Sequence, residues 1–251
     1  MSSAPDDGAA VAGAFSKVET WIFDLDNTLY PPRSNLFAQV DQKMGAFISR
    51  LLDVDLQEAK RLQKGYYRQY GTTLRGLMSE HGVDPHDFLA FVHDIDHSPI
   101  EPDPALGAAL SLLPGRKFVL TNGSRRHAES IVARLGIEDH FEDLFDIIAA
   151  EFEPKPARPP YDRFLARYDV DPTRSAMFED LPRNLDVPHE LGMRTVLVVA
   201  PPDTPQETVA YRQQWEIEIG DAASIDHVTD DLADFLVSVS EDLGSTPSPT
   251  D

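Results

Sequence analysis

The 251-residue chain has no cysteine, which excludes disulfide cross-links and thiolate metal sites together. Basic residues are scarce: 22 Lys and Arg stand against 43 Asp and Glu, giving a formal charge of −21. Non-specific binding to nucleic acid relies on a basic surface, so no nucleic-acid partner is expected. An anionic substrate must then be attracted locally, by a metal and a few placed cations. No apolar run approaches the ~18 residues that a membrane span needs, and no membrane partner is expected. The first 16 residues are small, acidic and rich in Ala and Gly, without the basic flank and apolar centre of a signal peptide. A cytoplasmic protein is the expectation. Neither a Walker A lysine loop nor a Gly-x-Gly-x-x-Gly follows a strand, and no internal repeat is visible.

What the chain does have is enough apolar material for a core, 41% of its residues. Its length suits one large domain, or a core domain with a smaller one attached. The most telling stretch is Trp21-Ile22-Phe23-Asp24-Leu25-Asp26-Asn27-Thr28-Leu29-Tyr30. A short apolar run reads as a buried parallel strand. Here it ends abruptly in two carboxylates, at the strand edge where ligands of open α/β sheets bind. Carboxylates at such a place cost free energy unless a cation or a donor compensates them. An EF-hand loop is excluded, because Leu29 occupies the position that its glycine must fill.

Two textures follow along the chain. Residues 1–17 and 241–251 read as disordered tails. Residues 33–100 are helical in pattern: Leu36, Phe37, Val40, Met44, Phe47, Ile48 and Leu51 form one stripe. Leu56, Ala59, Leu62, Tyr66 and Tyr70 form a second, with Gly71 as its stop. Asp84-Pro85 opens a third helix through Phe88 and Val92. Beyond residue 101 helices and strands alternate, with strands expected at 117–121, 145–149, 176–178 and 195–199 and a closing helix at 230–239. That alternation implies a parallel sheet with right-handed crossovers. The expected fold is therefore α/β: a parallel, Rossmann-like core domain from residues 18–32 and 101–240, helices on both faces, and an inserted all-helical domain at 33–100.

In a parallel sheet the C-terminal strand ends share one edge. Along that edge would lie Asp24 and Asp26, then Thr121-Asn122-Gly123-Ser124, then Glu153-Pro154-Lys155-Pro156, then Glu179-Asp180. Singly, each is an ordinary surface feature; together they form a set suited to phosphoryl transfer. A carboxylate can act as nucleophile and split one hard step into two, and Asp24 is the candidate. Asp26, on the same loop, can give a proton to the leaving group and later take one from water. Mg²⁺ prefers one or two carboxylates plus substrate oxygens, for which Asp24 and Asp180 are suited, with Glu179 as a further ligand. Thr121 and the amides of Asn122 and Gly123 can hold phosphoryl oxygens, and Lys155 can neutralise charge on the transferring group. The cluster His93-Asp94-Ile95-Asp96-His97 reads as the polar end of a helix rather than a second metal site. Tyr66 and Tyr70 read as packing residues.

These four segments resemble the four motifs of the haloacid dehalogenase-like hydrolase superfamily, in order over residues 19–200. The resemblance implies a nucleophile at Asp24, an acid/base at Asp26, a phosphate-binding hydroxyl at Thr121 and a lysine at Lys155. It further implies metal-binding acids at Glu179 and Asp180, Asn184 in the metal's outer shell, and the Asp26 backbone carbonyl as a metal ligand. The helical insert resembles the superfamily's type 1 cap. Four segments, among them Tyr66-Tyr67-Arg68-Gln69-Tyr70-Gly71-Thr72-Thr73-Leu74 and Phe91-Val92-His93-Asp94-Ile95-Asp96, are similar to the pyrimidine 5′-nucleotidase branch. The other two are 23–31 and 121–124. The implied function is a Mg²⁺-dependent phosphatase acting on a small phosphorylated metabolite, a pyrimidine nucleoside 5′-monophosphate by that branch. A sugar-phosphate or phosphoglycolate phosphatase, a phosphomutase and a non-catalytic protein on the same fold are the alternatives. Monomer and homodimer stay open. Val187-Pro188 departs from the expected pattern in the helix after the fourth motif.

Overall fold

In the computed structural model residues 13–213 and 221–245 are described. Among them lie six parallel strands, β1 (Thr20–Phe23), β2 (Arg116–Leu120), β3 (Asp143–Phe145), β4 (Ser175–Glu179), β5 (Arg194–Val198) and β6 (His227–Thr229). Their order in the sheet is β3-β2-β1-β4-β5-β6. The chain winds outward from β1 in one direction through β2 and β3. It then returns to β4 and winds outward in the other, so the connections diverge on the two sides of β1. A crevice opens at such a switch point, beyond the carboxyl ends of the strands.

Alternation along the strands builds two cores. Trp21, Phe23, Val119, Phe178 and Val196 face one side, where they pack with Leu106, Ile131 and Leu236. These come from α5 (Pro104–Leu112), α6 (Arg125–Leu135) and α10 (Leu232–Ser245), numbered after the four helices of the insert. Ile22, Phe118, Leu120 and Met177 face the other side, against Phe164 of α7 (Arg158–Tyr168) and Leu185, which precedes α8 (Asp186–Glu190). Because both faces are covered, the strands read as continuous apolar runs. Pro188 falls within the first turn of α8, where its missing N–H leaves no ladder bond broken. One further helix, α9 (Gln206–Gln213), follows β5.

Between β1 and β2 stand α1 (Leu36–Leu52), α2 (Leu56–Tyr70), α3 (Thr73–His81) and α4 (Pro85–Val92). They bury a core of their own around Val40, Ile48, Tyr66, Leu77, Phe88 and Val92. The helix α3 was not distinguished in the sequence, because Gly76 interrupts its pattern. That glycine is needed for packing: a Cβ there would lie 2.4 Å from the Tyr66 Cβ on α2.

Three sequence expectations need correction. The strand expected at 145–149 is instead Asp143–Phe145. Asp146 ends it, since Oδ1 accepts from the Ala149 N–H and Oδ2 from the Arg125 N–H. The apolar run past it goes elsewhere, with Ile147 reaching the core of the helical insert. Residues 13–17 are not part of a tail, for Phe15 is buried against Trp21 and Phe235. Nor are residues 241–245, which continue α10 and pack Leu243 against the main core. The rest of both expected tails lies outside the described residues. No helix among the described residues is long and apolar enough to cross a membrane.

Candidate active site

The residues singled out in the sequence meet at the carboxyl edge of the sheet, over β1, β2 and β4. Asp24 follows β1 directly, and its N–H donates to the Phe178 carbonyl of β4, so the nucleophile candidate continues the ladder for one residue. The chain then turns sharply. Asn27 adopts a φ of 62°, a conformation Asn tolerates better than most residues, and the N–H groups of Thr28 and Leu29 return to the Leu25 carbonyl. This turn carries Asp24 and Asp26 into the crevice and sends Leu25 and Leu29 into the core.

Lys155, on the loop before α7, is 1% exposed and satisfied threefold. Its Nζ donates to Asp24 Oδ1 at 2.7 Å, to Glu179 Oε1 at 2.8 Å and to the Leu120 carbonyl at 2.7 Å. The loop holding it is clasped by Asn122, whose Oδ1 accepts from the Lys155 N–H while its Nδ2 donates to the Lys155 carbonyl. Asn122 is thereby a support for Lys155 through its side chain. Thr121 is buried, and its Oγ1 accepts from the Gly123 N–H at 2.9 Å.

Glu179 is occupied on both oxygens. Oε1 accepts from Lys155 and from Asn184 Nδ2 at 2.6 Å, and Oε2 accepts from the Leu181 N–H at 2.8 Å. Burial pushes the Asp24 carboxyl above its ordinary range, Lys155 pulls it down, and the charges of Glu179 and Asp26 push it up again. Lys155 is held above the usual lysine range because Asp24 and Glu179 outweigh the effect of burial.

Asp24, Glu179 and Asp180 are all buried, with ligand atoms within 4.8 Å of one another. Three carboxylates gathered this closely offer hard oxygen donors, which suit a small divalent cation. Asn184 Oδ1 is buried without a hydrogen-bond partner, although Nδ2 of the same amide is bonded. An acceptor so placed suits a water carried by a cation. The residues thus fit Mg²⁺, with Asp24 and Asp180 as its carboxylates and Asn184 behind them.

Asp26 is held apart from that cluster by its own donors. Tyr30 Oη donates to Oδ1 at 2.5 Å, and His127 Nε2 lies 3.0 Å from the same oxygen. Burial pushes this carboxyl up, but the His127 charge and hydrogen bond, with the Tyr30 bond, prevail and hold it at about 2. His127 sits in the first turn of α6, whose N-cap Ser124 accepts from the His127 N–H. Neither His127 nor Tyr30 was singled out as functional in the sequence. The signal was available for His127, a histidine three residues past a capping serine on the helix that follows Thr121.

The segment His93 to His97 serves this arrangement. The His93 ring stacks on His127 with centroids 4.4 Å apart, and its Nδ1 lies 2.8 Å from Ser124 Oγ. His97 Nε2 lies 3.3 Å from His127 Nδ1. Elsewhere, Arg125 pairs with Glu129 and Asp143, and it does not line the cleft. Tyr66 bonds His81 and Tyr70 bonds Glu80, both within the helical insert. It is Tyr67 that reaches the cleft, with the Arg183 guanidinium 4.7 Å above its ring.

The cleft between sheet edge and insert has a volume of about 190 Å³. Its floor is Asp24, Asp26, Thr121, Lys155 and Asp180, and its far wall is apolar, with Val40, Met44, Leu74 and Phe88.

The family profile described as haloacid dehalogenase-like hydrolase matches residues 18–191. The chain belongs to the haloacid dehalogenase-like hydrolases. It is 32% identical over 138 residues to Phosphate metabolism protein 8 of Saccharomyces cerevisiae, a match covering 50% of this chain and 42% of the relative. The chain therefore matches less than half the length of that relative. Among solved structures, the L-2-haloacid dehalogenase of Xanthobacter autotrophicus with chloropropionic acid covalently bound has a TM-score of 0.54 at 16% identity, covering 88% of this chain and 98% of its own. The HAD-hydrolase YfnB of Bacillus subtilis, bound to magnesium, has a TM-score of 0.53 at 13% identity, with coverage of 88% and 98%. At these identities the likeness is one of fold.

Proposed function

We propose that this hydrolase is a Mg²⁺-dependent phosphomonoesterase working through an aspartyl-phosphate on Asp24. One observation carries the reading: Asp24 meets a buried lysine and an acidic pair, while a second carboxylate, Asp26, is held separately by its own donors. A departing halide needs no proton and no cation, so dehalogenation would leave Asp26 and Asp180 idle. A relative named for phosphate metabolism agrees with a phosphate-ester substrate.

In the proposed reaction an Asp24 oxygen attacks phosphorus, forming the Asp24 O–P bond as the ester P–O bond breaks. Asp26, ionised before substrate arrives, takes the proton of the monoanionic phosphate ester and passes it to the departing alkoxide. Water then attacks phosphorus, its proton passes to Asp26, and the Asp24 O–P bond breaks to release phosphate. Lys155 offsets charge on the phosphoryl oxygens and orients Asp24, while the Thr121 hydroxyl, braced by the Gly123 N–H, and the Asn122 amide hold those oxygens. Mg²⁺, held by Asp24, Asp180 and the Asp26 carbonyl, would supply further neutralisation of the phosphoryl group.

The finer reading is a pyrimidine nucleoside 5′-monophosphate as substrate, with the helical insert acting as cap. It is supported by the nucleotidase-like segments and by Tyr67 on the cleft wall, where an aromatic ring can meet a base. A panel of UMP, CMP, purine nucleotides, sugar phosphates and phosphoglycolate, assayed for phosphate release, tests it. Preference for UMP and CMP is expected; equal or better turnover of sugar phosphates would remove the nucleotidase reading.

A further inference from the structure

Asp26 is a flexible carboxylate on a turn, yet an acid/base group works only if one oxygen faces the reacting atom. Both donors to its side chain converge on Oδ1: Tyr30 Oη at 2.5 Å and His127 Nε2 at 3.0 Å. The other oxygen, Oδ2, is left on the side of the phosphate loop, 3.7 Å from where a Cβ on Gly123 would stand. Two donors on one oxygen fix both the rotation of the carboxylate and the identity of the oxygen that exchanges protons.

His127 is itself fixed. It is 1% exposed, stacked under His93, and met on its second nitrogen by His97. An ionised carboxylate can only accept, so His127 Nε2 carries the proton in its bond to Asp26. His97 Nε2 lies 3.3 Å from the other nitrogen, Nδ1, so the ring is held from both sides. Neither His93 nor His97 belongs to the sheet domain. His93 terminates α4 of the helical insert, and His97 lies on the connection leading back to α5.

We propose that His127 is a positioning residue for Asp26, aligned in turn by His97, so that the segment returning from the helical insert sets the acid/base carboxylate. This rests on the phosphatase reading above. The consequence is specific to the proton-transfer step. Lys155 bonds Asp24, Glu179 and the Leu120 carbonyl rather than the histidines, so nucleophilic attack keeps that support when His127 changes. What suffers is protonation of the leaving group, and its weight depends on the ester. An alkyl phosphate expels a basic alkoxide that needs the proton, whereas p-nitrophenyl phosphate expels a stabilised phenolate that barely does. A histidine that merely filled space would depress both alike.

The test compares wild type with His127→Asn and His127→Gln on UMP, an alkyl phosphate and p-nitrophenyl phosphate, reading kcat/KM, which reports the steps through leaving-group departure. Glutamine can carry an N–H close to the position of Nε2; asparagine, one carbon shorter, withdraws it from Asp26. Misplacing a catalytic group by about 1 Å costs on the order of 10²-fold. His127→Asn is therefore expected to lose ~10²-fold on the alkyl esters and about tenfold less on p-nitrophenyl phosphate, with His127→Gln recovering most of the alkyl activity. His97→Ala should show the same leaving-group dependence in weaker form. Equal losses on all esters in the Asn variant, or no recovery in the Gln variant, would overturn the positioning role while leaving the phosphatase intact. A wild type inactive on every ester would instead remove the reading on which this proposal rests.

Discussion

Lys155 Nζ lies 2.7 Å from Asp24 Oδ1 with both side chains withdrawn from solvent. The ammonium has three donors, and Asp24, Glu179 and the Leu120 carbonyl take all three. Removing the lysine leaves two buried carboxylates without their cation. Breaking one side of such a buried pair costs about 3–5 kcal/mol. Lys155→Ala is accordingly expected to lose that much stability in urea unfolding, together with its activity. A loss below about 1 kcal/mol would show that the pair is not what neutralises this site.

The cluster of Asp24, Glu179 and Asp180 predicts a stabilising response to Mg²⁺, independent of turnover. A cation that binds only the folded state raises its stability in proportion to RT ln(1 + [L]/Kd). Thermal unfolding of the wild type should therefore shift upward with added Mg²⁺ and return with EDTA, and activity should follow the same reversal. Asp180→Asn is expected to abolish most of the shift. An unchanged melting temperature in Mg²⁺ would count against a metal held by Asp24 and Asp180.

Acid should weaken the fold through His93. Burial, with the nearby His127 charge adding to it, depresses His93 to about 3 from its ordinary value of 6.5. Between these values the unfolded chain takes up a proton that the folded chain refuses, so stability falls as pH drops below 6.5. One such group contributes a slope of about 1.4 kcal/mol per pH unit. Urea midpoints at pH 7 and pH 5 should therefore diverge more in the wild type than in His93→Asn. Parallel behaviour of the two proteins would mean that His93 titrates normally.

Gly76 tests the helical insert separately from the chemistry. A Cβ at this position would stand 2.4 Å from the Tyr66 Cβ and 2.6 Å from its Cγ, atoms at the base of the side chain that cannot swing aside. Gly76→Ala should therefore part α2 from α3 and destabilise by roughly 1–3 kcal/mol, despite alanine's better helix propensity. A neutral or stabilising effect in calorimetry would show that the two helices do not approach so closely.

Strand ends were far easier to read in the sequence than what supports them. Asp24, Thr121 and Glu179-Asp180 each follow an apolar run, and parallel topology alone brings such ends to one edge. Lys155 was legible from its motif, but its clasp by Asn122 was not, because that contact joins loops 33 residues apart in the chain. Nor was the histidine stack, which arises only when the chain returning from the insert meets the first turn of α6. The strand at 143–145 was misplaced because Ile147 is apolar for the sake of a different core. Periodicity reports that a residue is buried, and does not say against what.

The central claim is that Asp24 attacks phosphorus with Asp26 as its acid. It is tested most directly by assaying one preparation, with Mg²⁺, for phosphate release from p-nitrophenyl phosphate and UMP and for chloride release from 2-chloropropionate, beside Asp24→Asn and Asp26→Asn. Phosphate release by the wild type is expected, with no chloride and a loss of ~10³-fold or more on both esters in Asp24→Asn and on UMP in Asp26→Asn. Chloride release without phosphate release, or phosphate release undiminished in Asp24→Asn, would contradict it.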